Sequence, residues 1–516
     1  MDRARHGIMR TGKNEPLPSP DTNRSRASLD AKFAGGLAWT AGAKWATQFL
    51  TWGSTIAIAH ILFPADVGIA EIAGIFFSIT NVLAEFGIGT AVLHMPELDR
   101  KALGELHLFS MLLCTGIFIL AVAASPLLAL FFRSDHVLFF AANNIAFLVT
   151  GVQAVPFGLL QRDMDYKKLS LIEASTAVAQ AIVTVLTALA GWGFWSLWAG
   201  GSAGKIAATV LMCYWKPVPF AWPRWADIRK PVEMGRHVAI SRVTSAACGM
   251  ADAIIVGRFL GASALGTYRM AMNVASAPAE KISSLIMRTA SPLFANVMDD
   301  VPLVQRYYLI ITEFLSLSVM PLMLGLVMVA PQAVQVVLGP RWVSATAPLQ
   351  WLGLFMIVRV LGILAEQVLV SQRLTRFTMR ISIVNFAVMI TAFVVAARWK
   401  GSAGVAAAWI VLSPVTILPL LVILLRKIRL PVRQYAAALL PAVAGSAVMG
   451  VAIWILNRQL SFLDLSPRVS LPLLVAAGGL VYAGFILSLF RERIVRYTNF
   501  LSNLRRGKEN PVPAVP

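Results

Sequence analysis

Charged side chains lie inside several long apolar stretches of this chain, where an ionised group is costly. A charge at bilayer depth is tolerated only if it faces a partner charge or a wet cavity. Basic side chains at this depth can bind phosphate or carboxylate groups, and acidic side chains can bind protons or cations. The embedded bases are Lys44, Lys205, Arg242, Arg269, Lys281 and Arg359. The embedded acids are Glu71, Glu85, Glu173, Asp252, Glu280, Glu313 and Glu366. For each of them the alternative is a structural ion pair that locks helices together.

Polar residues recur along one face of two of these stretches. In the first, the stripe consists of Thr40, Lys44, Thr47, Gln48, Thr51 and Thr55. In the second, it consists of Ser241, Ser245, Cys248 and Asp252. The spacing is that of one helical face. A polar stripe on a lipid-embedded helix must meet water or another polar stripe, so both helices are predicted to line one shared lumen.

Two parts of the chain correspond at an offset of 198 residues. The segments "AHILFPADVGIAEIA" (59–73) and "GRFLGASALGTYRMA" (257–271) each interrupt two apolar runs, and Gly68 then falls on Gly266. At the same offset Lys44 falls on Arg242, so a cation occurs at the same depth twice. The alternative is that the two segments are similar by chance, but the repeat favours two six-helix halves in parallel orientation.

The composition indicates a membrane protein. Of 516 residues, 58% are hydrophobic and 14% are charged, and the mean hydropathy is +0.71. With about 20 apolar residues needed per helix, we predict an all-α polytopic protein with about fourteen transmembrane helices. The three cysteines lie in apolar runs without metal-ligand or disulfide spacing, and no metal or other cofactor is expected.

The basic residues set the predicted orientation. The tail and loops on the N-terminal side hold 32 lysines and arginines, against 7 on the opposite side. Cytoplasmic loops carry this excess, so both termini are predicted to be cytoplasmic. The net charge of +20 is then a topology signal, and nucleic acid is not expected as a partner.

The predicted organisation places two halves around a central cavity, with two extra C-terminal helices. The segments are a disordered cytoplasmic tail (1–33), an N-lobe of spans 1–6 (34–215), a cytoplasmic linker (216–234), a C-lobe of spans 7–12 (235–430), accessory spans 13–14 (431–490) and a cytoplasmic tail (491–516). The tails are polar and contain proline, without an apolar core.

Two catalytic interpretations fail on the residues. The stretch "AGGSAGKIA" (199–207) resembles a phosphate-binding loop, but Ala199 and Ile206 stand where that loop needs glycine and serine or threonine. The predicted outer loops hold only isolated acids, such as Asp66, Asp135 and Asp464, and no pair suited to glycoside chemistry. We therefore expect no enzyme.

Diffuse motifs over roughly residues 33–490 resemble the Wzx-like polysaccharide flippases of the multidrug/oligosaccharidyl-lipid/polysaccharide exporter superfamily. The segments on which the resemblance rests are "GAKWATQ", "ILFPADVGIAEIA", "LQRDMDYKKLSLIE", "GRFLGASALGTYRMA" and "APAEKISSLIMRTASPLFANV". The resemblance implies export of an undecaprenyl-pyrophosphate-linked repeat unit across the bacterial inner membrane, for exopolysaccharide, capsule or O-antigen. It makes a polysaccharide polymerase and a chain-length regulator candidate partners. A peptidoglycan-precursor flippase and a drug/cation antiporter of the same superfamily are the alternatives.

That substrate gives the embedded residues provisional roles. Lys44 and Arg242 are expected to grip the diphosphate on entry, and Lys205, Arg359 and Arg269 to bind it deeper. Thr47, Gln48 and Thr51 are expected to bind sugar hydroxyls. If transport is coupled to an ion, Asp252, Glu280 and Glu366 are the candidate acids, although each could equally neutralise a nearby cation.

Reporter fusions test the predicted orientation. Fusions at the N-terminal tail and after Arg493 should both report from the cytoplasm because of the bias in basic residues. A periplasmic signal from either fusion would contradict the predicted span count.

Overall fold

The structure, a computed structural model, describes residues 47–85, 88–89, 92, 99–224, 249–298, 300–371 and 375–490. These residues form helices joined by short turns, and no strand occurs among them. The helices are α1 (47–61), α2 (Pro64–Glu85), α3 (Arg100–Phe132), α4 (Val137–Asn143), α5 (Ala146–Arg162), α6 (Tyr166–Leu189), α7 (Trp195–Trp215), α8 (Ala251–Asn296), α9 (Val301–Met328), α10 (Thr346–Ser371), α11 (Thr375–Lys427), α12 (Val432–Phe462) and α13 (Pro467–Leu489). Shorter turns at Ala330–Ala333, Val334–Leu338 and Pro340–Ala345 join α9 to α10.

Several of these helices can cross a bilayer. Within the described residues, nine helical segments are long and apolar enough to do so. One of them, Asn385–Lys427, has 43 residues and is folded back at Lys400 and Gly401, whose backbone angles are not helical. The chain is thus a polytopic all-helical membrane protein, as predicted, while the number fourteen remains a prediction.

Aspartates begin three helices on the side predicted to be cytoplasmic. The side chains of Asp99, Asp165 and Asp300 accept hydrogen bonds from N–H groups in the first turns of α3, α6 and α9, which otherwise have no partner. Partial burial acts to raise the pKa of Asp165, but hydrogen bonds from Lys168 and the charges of Lys168 and Lys216 outweigh it and lower that pKa.

The two segments that interrupt apolar runs form tight turns at the opposite side. The segment 59–73 turns only at Leu62 and Phe63, since α2 already begins at Pro64. The segment 257–271 turns at Gly261, whose φ of 84° is disfavoured for residues that carry a β-carbon. We call this end of the bundle the hairpin end, and we call α1–α7 the N-lobe and α8–α11 the C-lobe.

The two lobes meet where α2 crosses α8. A β-carbon added to Gly68 would overlap the backbone carbonyl of Ala262, and one added to Gly266 would overlap that of Pro64. Ala262 stands 198 residues after Pro64, and Gly266 stands 198 after Gly68, so the contact is reciprocal. A twofold relation between the halves produces such reciprocity, and glycines are the residues that let membrane helices approach this closely.

A second contact holds the lobes together at the hairpin end. The indole Nε1 of the fully buried Trp342 donates to the carbonyl of Ala59 at 2.7 Å. Nη1 of Arg341 donates to the carbonyl of Ile61 at 2.8 Å, and its guanidinium lies 4.2 Å from the ring centroid of Phe63. These donors satisfy carbonyls that the last turn of α1 leaves without a helical partner.

The two C-terminal helices attach to the C-lobe side through α9. The Tyr482 hydroxyl on α13 donates to the carbonyl of Leu317 at 2.8 Å. Gln332, just beyond α9, donates to the side chain of Asn457 on α12 at 2.7 Å. Gly450 of α12 packs against Leu324 of α9. Both helices thus flank α9, away from the crossing of α2 and α8.

The crossing generates a prediction with a matched control on the same helix. Gly68→Ala should lower the melting temperature of the purified protein, because its β-carbon has no space and overpacking costs about 1–3 kcal/mol. Gly74→Ala should not, since nothing lies within 4 Å of a β-carbon at Gly74, and alanine favours the helix. Equal melting temperatures for the two variants would contradict the close crossing.

Candidate functional site

Two cavities lie on either side of the crossing of α2 and α8. The cavity in the N-lobe has a volume of about 750 Å³ and is lined by α1, α2, α5, α6, α7 and α8. The cavity in the C-lobe has a volume of about 620 Å³ and is lined by α8, α10 and α11. Asn273 of α8 lines both cavities. The two cavities therefore adjoin at this helix, between the lobes.

Amides and hydroxyls are the commonest polar groups in the lining of the N-lobe cavity, which also contains many apolar side chains. Its polar residues include Thr51, Thr55, Gln153, Thr176, Gln180 and Thr184. The Gln153 amide donates to the Lys205 carbonyl at 3.0 Å and to the Thr209 hydroxyl at 2.6 Å, which fixes its orientation. Such groups can hydrogen-bond a hydroxyl-rich ligand.

Lys205, Glu71 and Glu173 are the charged residues of the N-lobe cavity. The Lys205 ammonium lies 3.7 Å from the ring centroid of Phe77, a cation–π contact that partly offsets its desolvation. The structure thus places Lys205 at the wall of the N-lobe cavity, and its contact with a substrate stays a prediction.

The C-lobe cavity holds five of the charged residues that the sequence singled out. They are Asp252, Arg269, Glu280, Arg359 and Glu366. Arg359 Nη1 lies 3.5 Å from Glu280 Oε1, and both side chains are substantially exposed, at 39% and 58%. An ion pair this exposed contributes little stability, so Arg359 can exchange Glu280 for another anion.

Asp252 is held much more firmly than the other acids of the C-lobe cavity. Its Oδ2 accepts hydrogen bonds from the Tyr268 hydroxyl at 2.6 Å and from Trp409 Nε1 at 3.3 Å. Its Oδ1 accepts from the Ala253 N–H at 2.8 Å, and the residue is 3% exposed. Trp409 in turn stacks on Phe355. Asp252 therefore links α8 with α11, and Tyr268 immediately precedes Arg269.

Arg269 and Glu71 connect the cavities through the crossing. Arg269 Nε donates to Glu71 Oε2 at 2.9 Å, and each side chain is 24% exposed. Arg269 lines the C-lobe cavity, and Glu71 lines the N-lobe cavity. The pair stands one helical turn from Gly68 and Gly266, on the side away from the hairpin end.

Some of the predicted site residues are not placed in either cavity by the structure. Lys44 and Arg242 fall outside the described residues, so their proposed grip on the head group stays a prediction. Thr47 and Gln48 lie on α1 but line neither of the two cavities, whereas Thr51 of the same stripe lines the N-lobe cavity.

Two polar stripes that line the cavities were not among those predicted from the sequence. On α8 the stripe is Arg269, Asn273, Ser276 and Glu280. On α6 it is Glu173, Thr176, Gln180 and Thr184. Both have the helical spacing that identified the stripe on α1, so the signal was available. Among the described residues, no group of histidine, cysteine and acidic side chains is arranged to hold a metal ion.

Comparison with known proteins agrees with this architecture. A family described as "Polysaccharide biosynthesis protein" matches residues 57–347. The teichuronic acid biosynthesis protein TuaB of Bacillus subtilis is 23% identical over 423 residues, 80% of this chain and 86% of that protein. The lipopolysaccharide biosynthesis protein WzxC of Escherichia coli is 23% identical over 446 residues, 83% of this chain and 89% of that protein.

The fold also has a solved counterpart. A structure of the lipid II flippase MurJ in an inward closed conformation matches with a TM-score of 0.73 and 13% identity. The match covers 88% of this chain and 99% of MurJ. At this identity the likeness establishes a shared fold.

Thiol labelling tests whether the predicted cations face the cavities. In a variant without the three native cysteines, Lys205→Cys and Arg359→Cys should react quickly with a charged methanethiosulfonate, because both positions line a cavity. Ile206→Cys is the matched control: this neighbouring residue is 54% exposed at the outside of the bundle, where lipid excludes the reagent. Equal rates at positions 205 and 206 would contradict a wet N-lobe cavity.

Proposed function

The chain belongs to the polysaccharide biosynthesis protein family, and from that membership we propose that it flips a polyprenyl-diphosphate-linked oligosaccharide repeat unit across the bacterial inner membrane. The unit would serve exopolysaccharide, capsule or O-antigen synthesis. The observation that carries the proposal is the pair of adjoining cavities at the boundary between the lobes, each lined in part by polar and charged side chains, with Arg269 in the wall between them. In this proposal the hairpin end faces the periplasm, and both termini lie in the cytoplasm.

The two cavities match the two polar parts of such a substrate. Arg269 and Arg359 in the C-lobe cavity offer guanidinium groups, which bind phosphate oxygens in a fork geometry. The N-lobe cavity offers amides and hydroxyls that suit a glycan. The lipid tail would stay in the bilayer while the head group crosses through the lumen.

Rocking of the lobes about their crossing supplies alternating access in this proposal. The protein would catalyse no covalent reaction, and the driving force would be an ion gradient or removal of the product outside. Asp252, Glu280 and Glu366 are the candidate coupling acids. Asp252 is the strongest of them because it links α8, which carries Arg269, with α11 through Tyr268 and Trp409.

A peptidoglycan lipid precursor is the alternative that deserves a direct comparison. The solved structure with the shared fold is named as a lipid II flippase, and lipid II also carries a diphosphate. The curated relatives are named for teichuronic acid and lipopolysaccharide biosynthesis, which favours a polysaccharide repeat unit. A drug/cation antiporter would have less use for two arginines in one cavity. A polysaccharide polymerase and a chain-length regulator are the proposed partners.

Reconstitution tests the function. In liposomes that contain the purified protein, a fluorescent undecaprenyl-diphosphate oligosaccharide should become accessible to a membrane-impermeant quencher faster than in liposomes without protein. Arg359→Ala should slow this roughly ten- to a hundredfold, since a charge-assisted hydrogen bond contributes about 1.5–3 kcal/mol. Arg359→Lys should retain part of the rate.

The control variant is Arg468→Ala, which removes an exposed cation at the start of α13 and should leave the rate unchanged. Faster flipping of lipid II than of the oligosaccharide would favour the alternative substrate. No acceleration of either lipid would contradict the proposed function.

A further inference from the structure

The ion pair between Glu71 and Arg269 joins equivalent positions of the two halves. The residues are 198 positions apart, the offset that also relates Gly68 to Gly266. In a twofold arrangement, equivalent positions close to the axis face each other. One half supplies an acid there and the other a base, so the pair is a direct link between the lobes through charge.

The position of the pair relates it both to the cavities and to the closed end. Toward the hairpin end lies the glycine crossing, where the backbones of α2 and α8 touch. Away from that end, one turn further on α8, lies Asn273, which lines both cavities. The pair is thus a polar layer directly beneath the closed crossing, in the wall that the two cavities share.

The carboxylate of Glu71 and a phosphate are alternative ligands for the same guanidinium. Both are anions that accept charge-assisted hydrogen bonds from arginine. With a diphosphate at Arg269, an ionised Glu71 would lie next to negative charge in a poorly screened site, where like charges repel strongly. Binding of the diphosphate therefore works against the contact between Glu71 and Arg269.

We propose that Glu71 occupies the anion position of Arg269 in the empty protein and that the diphosphate of the substrate displaces it. This rests on the proposed function. Without substrate, separating the lobes would take the charges of Glu71 and Arg269 away from each other at membrane depth, which is costly, so the hairpin end stays closed. With substrate, Arg269 keeps an anion after Glu71 leaves, and the lobes can part. Glu71 thereby restricts opening of the hairpin end to the loaded protein.

Binding of a short-chain diphosphate tests the competition. Farnesyl pyrophosphate is titrated calorimetrically into the purified full-length protein, into Glu71→Gln and into Glu173→Gln. Glu71→Gln should bind about tenfold more tightly or better, because the competing charge is gone. Glu173→Gln should match the parent, since Glu173 lines the same cavity and forms no ion pair with a described residue.

Each outcome of this titration is decisive. Equal or weaker binding by Glu71→Gln, with clear binding by the parent, would overturn the inference and leave the proposed function standing. In that case Glu71 merely positions Arg269, and the guanidinium holds both anions together. Absence of binding by the parent and by Glu71→Gln would overturn both the inference and the proposed recognition of a diphosphate.

Accessibility of Val67 tests the link to opening. Val67 is buried on α2, one turn from Glu71 toward the hairpin end, and lines the N-lobe cavity. Val67→Cys, in a background without native cysteines, is labelled in intact cells with an impermeant maleimide. In cells that make no lipid-linked repeat unit, adding Glu71→Gln should raise the labelling rate severalfold, whereas adding Glu173→Gln should not. An unchanged rate with Glu71→Gln would overturn the control of opening.

Discussion

The rest of the architecture depends on the backbone contact between α2 and α8 at Gly68 and Gly266. Water does not drive helices together inside a bilayer, so close packing of small residues must do so. Here each glycine accommodates a carbonyl of the partner helix. The closeness of the two backbones is what allows a single ion pair, Glu71 with Arg269, to bridge the lobes one turn away. It also gives both cavities a shared wall.

The hairpin end is closed by two further contacts that use different chemistry at equivalent places. In the N-lobe, Ala59 at the end of α1 accepts a hydrogen bond from Trp342 of the segment that precedes α10. Its equivalent in the C-lobe is Gly257, where an added β-carbon would meet the ring of Phe132 at 2.9 Å. One lobe is held through a polar donor and the other through aromatic packing. The position of the contact is thus equivalent in the two halves, while the interaction differs.

Much of the fold and part of the site could be predicted from the sequence because apolar length and helical spacing are local properties. The embedded cations Lys205, Arg269 and Arg359 could be identified in the sequence because an ionised side chain inside an apolar span is energetically costly. The structure places each of them at a cavity wall. The stripe on α1 was only partly predictive, since Thr51 lines a cavity whereas Thr47 does not.

The partners of the charged residues were not predictable from the sequence. Which acid contacts Arg269, and which donors hold Asp252, depends on how helices that are distant in the chain pack against each other. Trp342 carried no signal, because a tryptophan near a helix end normally indicates the membrane interface.

The asymmetry of charge within a duplicated frame has a physical reason. If the two halves were identical, residues near the twofold axis would face copies of themselves. Two acids at the positions of Glu71 and Arg269 would repel each other, and two arginines would leave the empty protein with unneutralised charge at membrane depth. An acid on one half and a base on the other neutralise each other when no ligand is bound. The arrangement still keeps a guanidinium within reach of an anionic ligand. Two unlike halves can therefore close against each other at this position with their charges neutralised, which two halves with the same charge there could not.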